Sequence, residues 1–144
     1  MSEDANCALV RRFIDDVFNA GNFDAAEEIL TTDYVHHDPT TQEFGSGMEG
    51  FKRLVGYYRD AFPDLEITFD EQFAAGDRVV DRWTGRGTHQ GELMGITATG
   101  RPVTAAGISI HRIADDRIAE TWNIYDAAGM LRQLGAISGI KSED

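Results

Sequence analysis

The 144-residue chain has little of what marks a secreted or membrane protein. Its single cysteine, Cys7, has no partner within the chain for a disulfide, which favours a reducing compartment. No apolar run approaches the roughly 20 residues that a membrane-spanning helix needs, and the acidic first residues contain no apolar signal core. We therefore expect a cytoplasmic protein with no membrane partner.

Positive charge is also scarce, with 13 Lys and Arg against 25 Asp and Glu, so the net charge is −12. Such a surface repels phosphate backbones, and nucleic acid is not an expected partner. The hydrophobic content of 42% and the charged content of 26% are typical of a globular protein. Because no repeat or linker divides the chain, we predict a single domain over residues 1–144.

Two strand-like runs, residues 103–113 and 117–125, organise the rest of the chain. The short acidic turn between them indicates a β-hairpin, and Asp126 is placed to cap a closing helix. Upstream, apolar spacing predicts three helices, an extended segment, a polar loop and two strands. In chain order these are residues 7–20, 25–30 (ended by 31–33), 34–39, 40–47, 48–62, 65–69 and 79–89.

This order of elements predicts an α+β fold, in which helices cover one face of a curved antiparallel sheet. A bent sheet with helices laid across its concave side forms a cone with a mouth. Such a cavity suits a small, largely apolar ligand.

Several short motifs, taken in order and spacing, resemble the SnoaL-like polyketide cyclases, also called ester cyclase-like proteins, of the NTF2-like superfamily. They are YVHHDP (34–39), AFPDL (61–65), GDRVV (76–80), WTGRGTH (83–89) and ETWNIYD (120–126) with LRQLG (131–135). The resemblance implies an NTF2-like cone-shaped barrel with about three helices, an apolar cavity, and a homodimer or homotetramer. It also implies an aldol-type closure of a polyketide without metal or cofactor, in which an aspartate of the last strand is the acid/base.

The chain departs from that pattern at three positions. Alignment on the shared LRQLG ending puts Asn123 where the family has its aspartate, Ser109 where it has a histidine and Gly107 where it has a glutamine. An amide cannot carry a proton as a carboxylate does. If the last strand lies as in the family, Thr121, Asn123 and Tyr125 share the cavity face, and Asn123 either polarises a substrate oxygen or satisfies buried polar groups.

The histidines offer candidates for proton transfer. In an extended segment His36 and Asp38 point one way and His37 the other. We expect no metal site, because zinc needs three or four converging ligands, and we assign His37 to the cavity rim as a proton carrier, or else to the surface. His89 shares a face with Trp83 and either contacts the ligand or anchors a loop.

Large amphipathic side chains are the remaining candidates, as substrate contacts or as ordinary core. Including Ser109, the predicted substrate-binding set is Tyr34, Tyr58, Phe62, Trp83, Met94, Ser109, Trp122 and Tyr125. The predicted function is acid–base chemistry on a small apolar or polyketide-like carbonyl compound, either aldol-type cyclisation or isomerisation. Asn123 would polarise the oxygen, and His37 or His89 would move the proton. The alternative is a non-catalytic binding or dimerisation module of the same fold.

Overall fold

The computed structural model describes residues 2–40, 44–45 and 47–136. Within them the chain forms four α-helices, one π-helical segment and five β-strands. The helices are α1 (Glu3–Phe13), continued by the π-helical segment Ile14–Asn19, then α2 (Phe23–Ile29), α3 (Gly47–Ala61) and α4 (Ala127–Gln133). The strands are β1 (Leu30–His37), β2 (Glu66–Ala75), β3 (Arg78–Thr88), β4 (Pro102–Ala114) and β5 (Arg117–Tyr125).

The strands form one curved sheet in the order β1-β5-β4-β3-β2, and the α+β prediction is confirmed. Strands β2 to β5 are an antiparallel meander, as predicted. Strand β1 instead pairs parallel with β5. The prediction of a wholly antiparallel sheet is therefore wrong at this edge, because the chain leaves β1 through α3 and enters the meander at the opposite edge.

The hairpin between β4 and β5 confirms the strongest local prediction. Asp115 and Asp116 both have positive φ, 54° and 61°. This is the left-handed backbone that a tight two-residue hairpin turn requires, and aspartate tolerates it better than most residues.

Other local predictions are mostly right. The Asp126 carboxylate accepts a hydrogen bond from the Gly129 N–H at 2.9 Å, and the Asn22 amide caps α2 through the Ala25 N–H. Residues 31–33, predicted to end α2, belong to β1, since their β-branched threonines fit a strand. Residues 41–43 and 46 of the predicted polar loop lie outside the described residues.

The helices cover the concave face and form two apolar clusters with it. The larger lies against α1, the π-helical segment, α2 and α3, and includes Phe13, Val17, Phe51 and Val55. The smaller is formed by Ala61, Phe62, Leu93, Val103, Met130 and Leu134. Among the described residues, no helix is long and apolar enough to cross a membrane.

Candidate active site

The concave face encloses a cavity of about 100 Å³ that both apolar clusters line. Phe13 and Ile67 come from the larger cluster, and Phe62 and Met130 from the smaller one. Polar side chains enter this otherwise apolar space from the middle of β4 and β5 and from the end of β1. They include His36, Asp38, Ser109, His111, Thr121 and Asn123.

Ser109, Asn123 and Asp38 form one hydrogen-bonded row. Ser109 and Asn123 are cross-strand partners, and the Ser109 hydroxyl donates to Asn123 Oδ1 at 2.6 Å. The Asn123 amide nitrogen donates to Asp38 Oδ2 at 2.9 Å. The row therefore joins β4, β5 and the chain just after β1.

Gly107 leaves the space that allows Trp83 to reach Ser109, the first residue of the row. Trp83 and Gly107 are cross-strand partners, and a Cβ at Gly107 would lie 2.3 Å from Trp83 Cζ2. Without that Cβ, the indole lies across β4, and its Nε1–H donates to Ser109 Oγ at 3.1 Å. The three residues at which the resemblance implies a departure from the family thus form, with Trp83, one unit of contacts. Gly107 leaves space for the Trp83 indole, and the indole N–H orients the Ser109 hydroxyl.

This unit fixes the orientation of the Asn123 amide. Because Ser109 Oγ accepts from the indole, its own proton is directed to Asn123 Oδ1. The amide NH₂ must then face Asp38, whose ionised carboxylate can only accept. An amide NH₂ group carries two N–H donors, and one of them donates to Asp38.

Asp38 is the buried carboxylate of the cavity, with 8% of its surface exposed. Its Oδ1 accepts from the Thr40 backbone N–H at 3.0 Å and from the Thr40 hydroxyl at 2.7 Å. Burial acts to raise its pKa, but the contacts from His36, Asn123 and Thr40 outweigh burial and hold the pKa of Asp38 below its usual value. Asp38 is therefore an ionised base at neutral pH.

Two phenols lie near this carboxylate. The hydroxyls of Tyr58 and Tyr125 are 2.5 Å apart. Burial, and then the neighbouring Tyr125, raise the pKa of Tyr58, and burial likewise raises the pKa of Tyr125. Both phenols stay protonated, so the pair can donate a hydrogen bond to an oxygen in the cavity.

Six of the residues predicted for the site line the cavity: Tyr58, Phe62, Trp83, Ser109, Asn123 and Tyr125. Thr121 lines it as well, as the expected alternation along β5 requires. The other five predicted residues do not line this cavity. They are the two proposed proton carriers, His37 and His89, and the predicted substrate contacts Tyr34, Met94 and Trp122.

His37 and Trp122 lie on the opposite, outer face of the sheet. The His37 ring stacks on Trp122 at 5.4 Å, and its Nε2 lies 2.6 Å from Glu120 Oε2. The strand alternation that brings Asp38 to the first cavity turns His37 away from it. His37 and Trp122 line instead the second concavity described below, so their predicted roles at the rim of the site stay predictions.

His89, Tyr34 and Met94 are also absent from the cavity wall. His89 is fully buried, and its Nδ1 accepts from the Thr99 N–H, so it anchors the loop before β4, as the alternative reading held. Tyr34 is fully buried in the core. Met94 is 38% exposed in the loop before β4, and its φ of 51° is positive.

Sequence reasoning missed Asp38 and His36 as site residues. The available signal was their shared direction in the extended segment, opposite to His37. What the sequence did not show is that β1 pairs with β5, which brings that segment beside Asn123.

Across the described residues, no group of three or more His, Cys, Asp or Glu side chains is arranged to hold a metal ion.

A second concavity of about 320 Å³ adjoins the first. Both are lined by His36, Asp38, Leu54 and Asn123. The Asp38–Asn123 pair therefore lies in the wall between the two spaces.

Comparison with known proteins decides the family. The model of the SnoaL-like polyketide cyclase family matches residues 8–134. The chain belongs to this family. The nogalonic acid methyl ester cyclase of Streptomyces nogalater is 32% identical over 124 residues, which are 82% of this chain and 89% of that one. The aklanonic acid methyl ester cyclase DnrD of Streptomyces peucetius is 31% identical over 136 residues, which are 88% of each chain.

Solved structures agree with this assignment to the SnoaL-like cyclases. TsrD from Streptomyces laurentii superposes with a TM-score of 0.85 at 29% identity, over 95% of this chain and 99% of that one. IdmH from Streptomyces antibioticus gives a TM-score of 0.80 at 31% identity, over 90% and 98% of the two chains. The fold and the family predicted from sequence motifs are confirmed.

Proposed function

We propose that this SnoaL-like protein closes a ring in a polyketide-type carbonyl compound by an aldol-type step, with Asp38 as its acid/base. The observation that carries the proposal is the buried Asp38 carboxylate, hydrogen-bonded to Asn123 in the wall of an apolar cavity. Two relatives of about the same length are named as cyclases of nogalonic and aklanonic acid methyl esters, which supports this substrate class.

The step follows from the groups present. Asp38 removes a proton from a carbon beside a carbonyl, and the resulting enolate attacks a second carbonyl of the same molecule. A carbon–carbon bond forms, and the new alkoxide takes the proton back from the Asp38 carboxylic acid. Nothing is gained or lost, so the product is an isomer of the substrate.

The negative charge that develops on oxygen needs hydrogen-bond donors in a dry site. Asn123, Tyr58 and Tyr125 line the same cavity as Asp38. In the proposal the donors are the second N–H of Asn123 and the phenol proton that the Tyr58–Tyr125 hydrogen bond does not use. In this proposal the predicted role of Asn123 as oxygen polariser is kept, and the proton-carrying role passes from His37 and His89 to Asp38.

The size of the cavity limits how the substrate lies. A volume of about 100 Å³ is below the roughly 300–1,000 Å³ of ligand pockets. It suits one ring-sized portion of a substrate, and the remainder would lie in the adjoining concavity of about 320 Å³. The reacting carbons would then sit beside Asp38 and Asn123, which border both spaces.

The test uses aklanonic acid methyl ester and nogalonic acid methyl ester as substrates, with the isomeric product followed by chromatography. We expect turnover by the native protein, and an Asp38→Asn loss of about 10²- to 10⁴-fold in kcat, the usual contribution of general acid–base catalysis. Asp33→Asn, which alters an exposed position of β1, the strand that precedes Asp38, is the matched control. Equal activity of Asp38→Asn and the native protein would remove Asp38 from the mechanism.

We also propose that the outer sheet face forms the interface of a homodimer. Five apolar side chains are exposed there or at its edge: Val35, Phe73, Ile108, Ile110 and Ile124. Ile108 and Ile124 are cross-strand partners in the centre of this face and are 53% and 67% exposed. Apolar area of this kind is characteristic of a protein–protein contact.

We place the dimer in the cytoplasm, where the free, partly buried Cys7 would remain reduced.

A further inference from the structure

His36 contributes an atom to the site that the proposed reaction has not used. The residue lines both the first cavity and the second concavity. Its Nε2 is buried and has no hydrogen-bond partner among the residues that the structure describes. A buried polar atom without a hydrogen bond is costly, which favours a ligand that supplies the missing contact.

Neighbouring side chains hold the His36 ring in one orientation. The Tyr34 hydroxyl lies 3.0 Å from His36 Nδ1, and Tyr34 is itself fully buried. The Phe51 ring packs against the imidazole at a centroid distance of 5.1 Å, and 10% of the His36 side chain is exposed. Nε2 is therefore in place before a ligand binds, as electrostatic stabilisation of a reaction requires.

The neighbouring carboxylate decides which ring nitrogen carries the hydrogen. His36 Nε2 lies 3.9 Å from Asp38 Oδ2, beyond hydrogen-bond distance. Because Asp38 is ionised, it would repel a lone pair on Nε2, whereas it attracts an N–H there. The neutral ring therefore has its hydrogen on Nε2, and Nδ1 accepts from the Tyr34 hydroxyl. A protonated ring would carry an Nε2–H as well.

The proposed aldol step needs such a donor. Negative charge appears first on the oxygen of the enolate and then on the oxygen of the attacked carbonyl. Asn123 and the Tyr58–Tyr125 pair line the first cavity and can serve the second of these oxygens. The enolate oxygen lies next to the carbon that loses its proton, so its donor must be close to the base.

The spacing of His36 and Asp38 fits an enolate. A carbonyl oxygen and the carbon beside the carbonyl are about 2.4 Å apart, given bond lengths of roughly 1.2 and 1.5 Å. An N–H donor and a carboxylate oxygen 3.9 Å apart can therefore contact this oxygen and this carbon at the same time. Both residues border both spaces, so a substrate that extends from one space into the other passes them.

We propose that His36 is a catalytic residue whose Nε2–H binds the oxygen of the carbonyl group next to the carbon that Asp38 deprotonates. As Asp38 takes the proton, the electron pair of the C–H bond moves toward this oxygen, and the hydrogen bond from His36 strengthens. His36 keeps its own proton throughout, and the oxygen returns to a carbonyl when the enolate carbon attacks. The inference rests on the proposed function for its purpose, although the donor can be detected without turnover.

This role orients the substrate in the site. The half that becomes the enolate lies across His36 and Asp38. The carbonyl that it attacks lies in the first cavity, where Tyr58 and Tyr125 line the wall. The remainder of the molecule extends from the enolate half into the second concavity.

A different account of His36 is that it only stabilises the Asp38 carboxylate. Substitutions of His36 would then lower activity through Asp38 alone. Asp38→Asn separates the two accounts, because it removes that charge and imitates the uncharged carboxylic acid that is present beside the enolate. In this background a phenolate stands in for the enolate, since both carry negative charge on an oxygen attached to an unsaturated carbon.

The first experiment measures the binding of 4-nitrophenolate by calorimetry, at a pH where the free phenol is ionised. Asp38→Asn should bind it, and Asp38→Asn/His36→Met should bind it at least about tenfold more weakly, because a hydrogen bond to a charged oxygen is lost. Asp38→Asn/His36→Gln is the matched control. Glutamine is about as long as methionine but retains an N–H donor, so its affinity should stay within about threefold of that of Asp38→Asn. Equal binding by the methionine variant, or no binding by Asp38→Asn, would overturn the proposal.

NMR of the native protein tests the donor without any change at Asp38. In ¹⁵N-labelled protein, the ring nitrogen signals distinguish a nitrogen that carries hydrogen from one that does not, and the loss of signals in His36→Gln assigns those of His36. We expect His36 Nε2 to carry hydrogen. An unprotonated Nε2 would refute the proposal, even if the Asp38 variants do not fold.

Turnover of aklanonic acid methyl ester separates this inference from the cyclase proposal. His36→Met should lower kcat by about 10²- to 10³-fold, the usual effect of removing one oxyanion donor, and His36→Gln should recover at least about tenfold of that loss. Turnover by native protein and by an equally active His36→Met would refute the role of His36 and leave Asp38 in place. A native protein that turns over neither methyl ester, together with 4-nitrophenolate binding that depends on His36, would refute the cyclase proposal and leave the donor standing.

Discussion

Exchanging the carboxylate and the amide between β1 and β5 is the sharpest test of the site. The double variant Asp38→Asn/Asn123→Asp moves the carboxylate to β5, where the resemblance implies that the family has it. The row remains complementary, since the Ser109 hydroxyl and the new amide NH₂ both donate to the relocated carboxylate. The oxygen of the new amide would accept from Thr40, as Asp38 Oδ1 does now.

In each single variant, the hydrogen-bond donors and acceptors at positions 38 and 123 no longer match. After Asp38→Asn, the new NH₂ group faces either the NH₂ of Asn123 or the donors of Thr40, and one buried donor is left unsatisfied at about 1–3 kcal/mol. After Asn123→Asp, two carboxylates would lie at the present 2.9 Å contact, so one of them must be protonated. We expect both single variants to be destabilised by this order of magnitude, and the double variant to lie within about 1 kcal/mol of the native protein.

Urea unfolding measures these free energies as a double-mutant cycle, and the cyclase assay runs in parallel. The double variant should recover at least about tenfold of the activity that Asp38→Asn loses, because the acid/base again borders the cavity. Additive losses of stability across the cycle would refute the hydrogen-bond polarity assigned to Asp38 and Asn123.

Three further outcomes are expected. Gly107→Ala should cost about 1–3 kcal/mol in unfolding free energy and change the Trp83 fluorescence, because the added methyl group displaces the indole; unchanged fluorescence would contradict this. The folded-state pKa of Asp38 lies below its unfolded value, so its charge stabilises the fold above pH of about 4 and stops doing so as pH falls through the folded pKa. The difference in unfolding free energy between the native protein and Asp38→Asn should therefore decrease as the pH falls. Urea unfolding of both proteins at several pH values measures this difference. Ile124→Glu should yield monomers in size-exclusion chromatography with light scattering, while Ala8→Glu, at an exposed position of α1, should not; a native monomer would end the dimer proposal.

Much of the fold is readable from the chain because it depends on local pattern. The hairpin turn at Asp115 and Asp116, the cap at Asp126 and the alternation along β5 each involve residues close in sequence. Family motifs supplied the cone and its cavity. The same alternation placed Asn123 inward correctly, since a strand's side chains have only two directions.

Local sequence pattern could not show which histidine of β1 faces the cavity. Whether His37 or His36 faces the cavity depends on which face of β1 turns toward the helices, and β1 has no neighbour in sequence that fixes this. The parallel pairing of His36 with Thr121 settles it, across 85 residues of chain. Asp38 was overlooked for the same reason, because its partner Asn123 lies on a strand at the other end of the sequence.

The sequence by itself determined the family and most of the secondary structure, since these are written in residue type and spacing, and the resemblance implied that Asn123 stands where the family has an aspartate. Only the tertiary structure decided that a carboxylate from another strand borders the cavity instead, and that a tryptophan occupies the space above Gly107. Hydrogen bonds between distant strands act over about 3 Å, and the distance between two residues in space follows from packing and strand order, which no local pattern encodes.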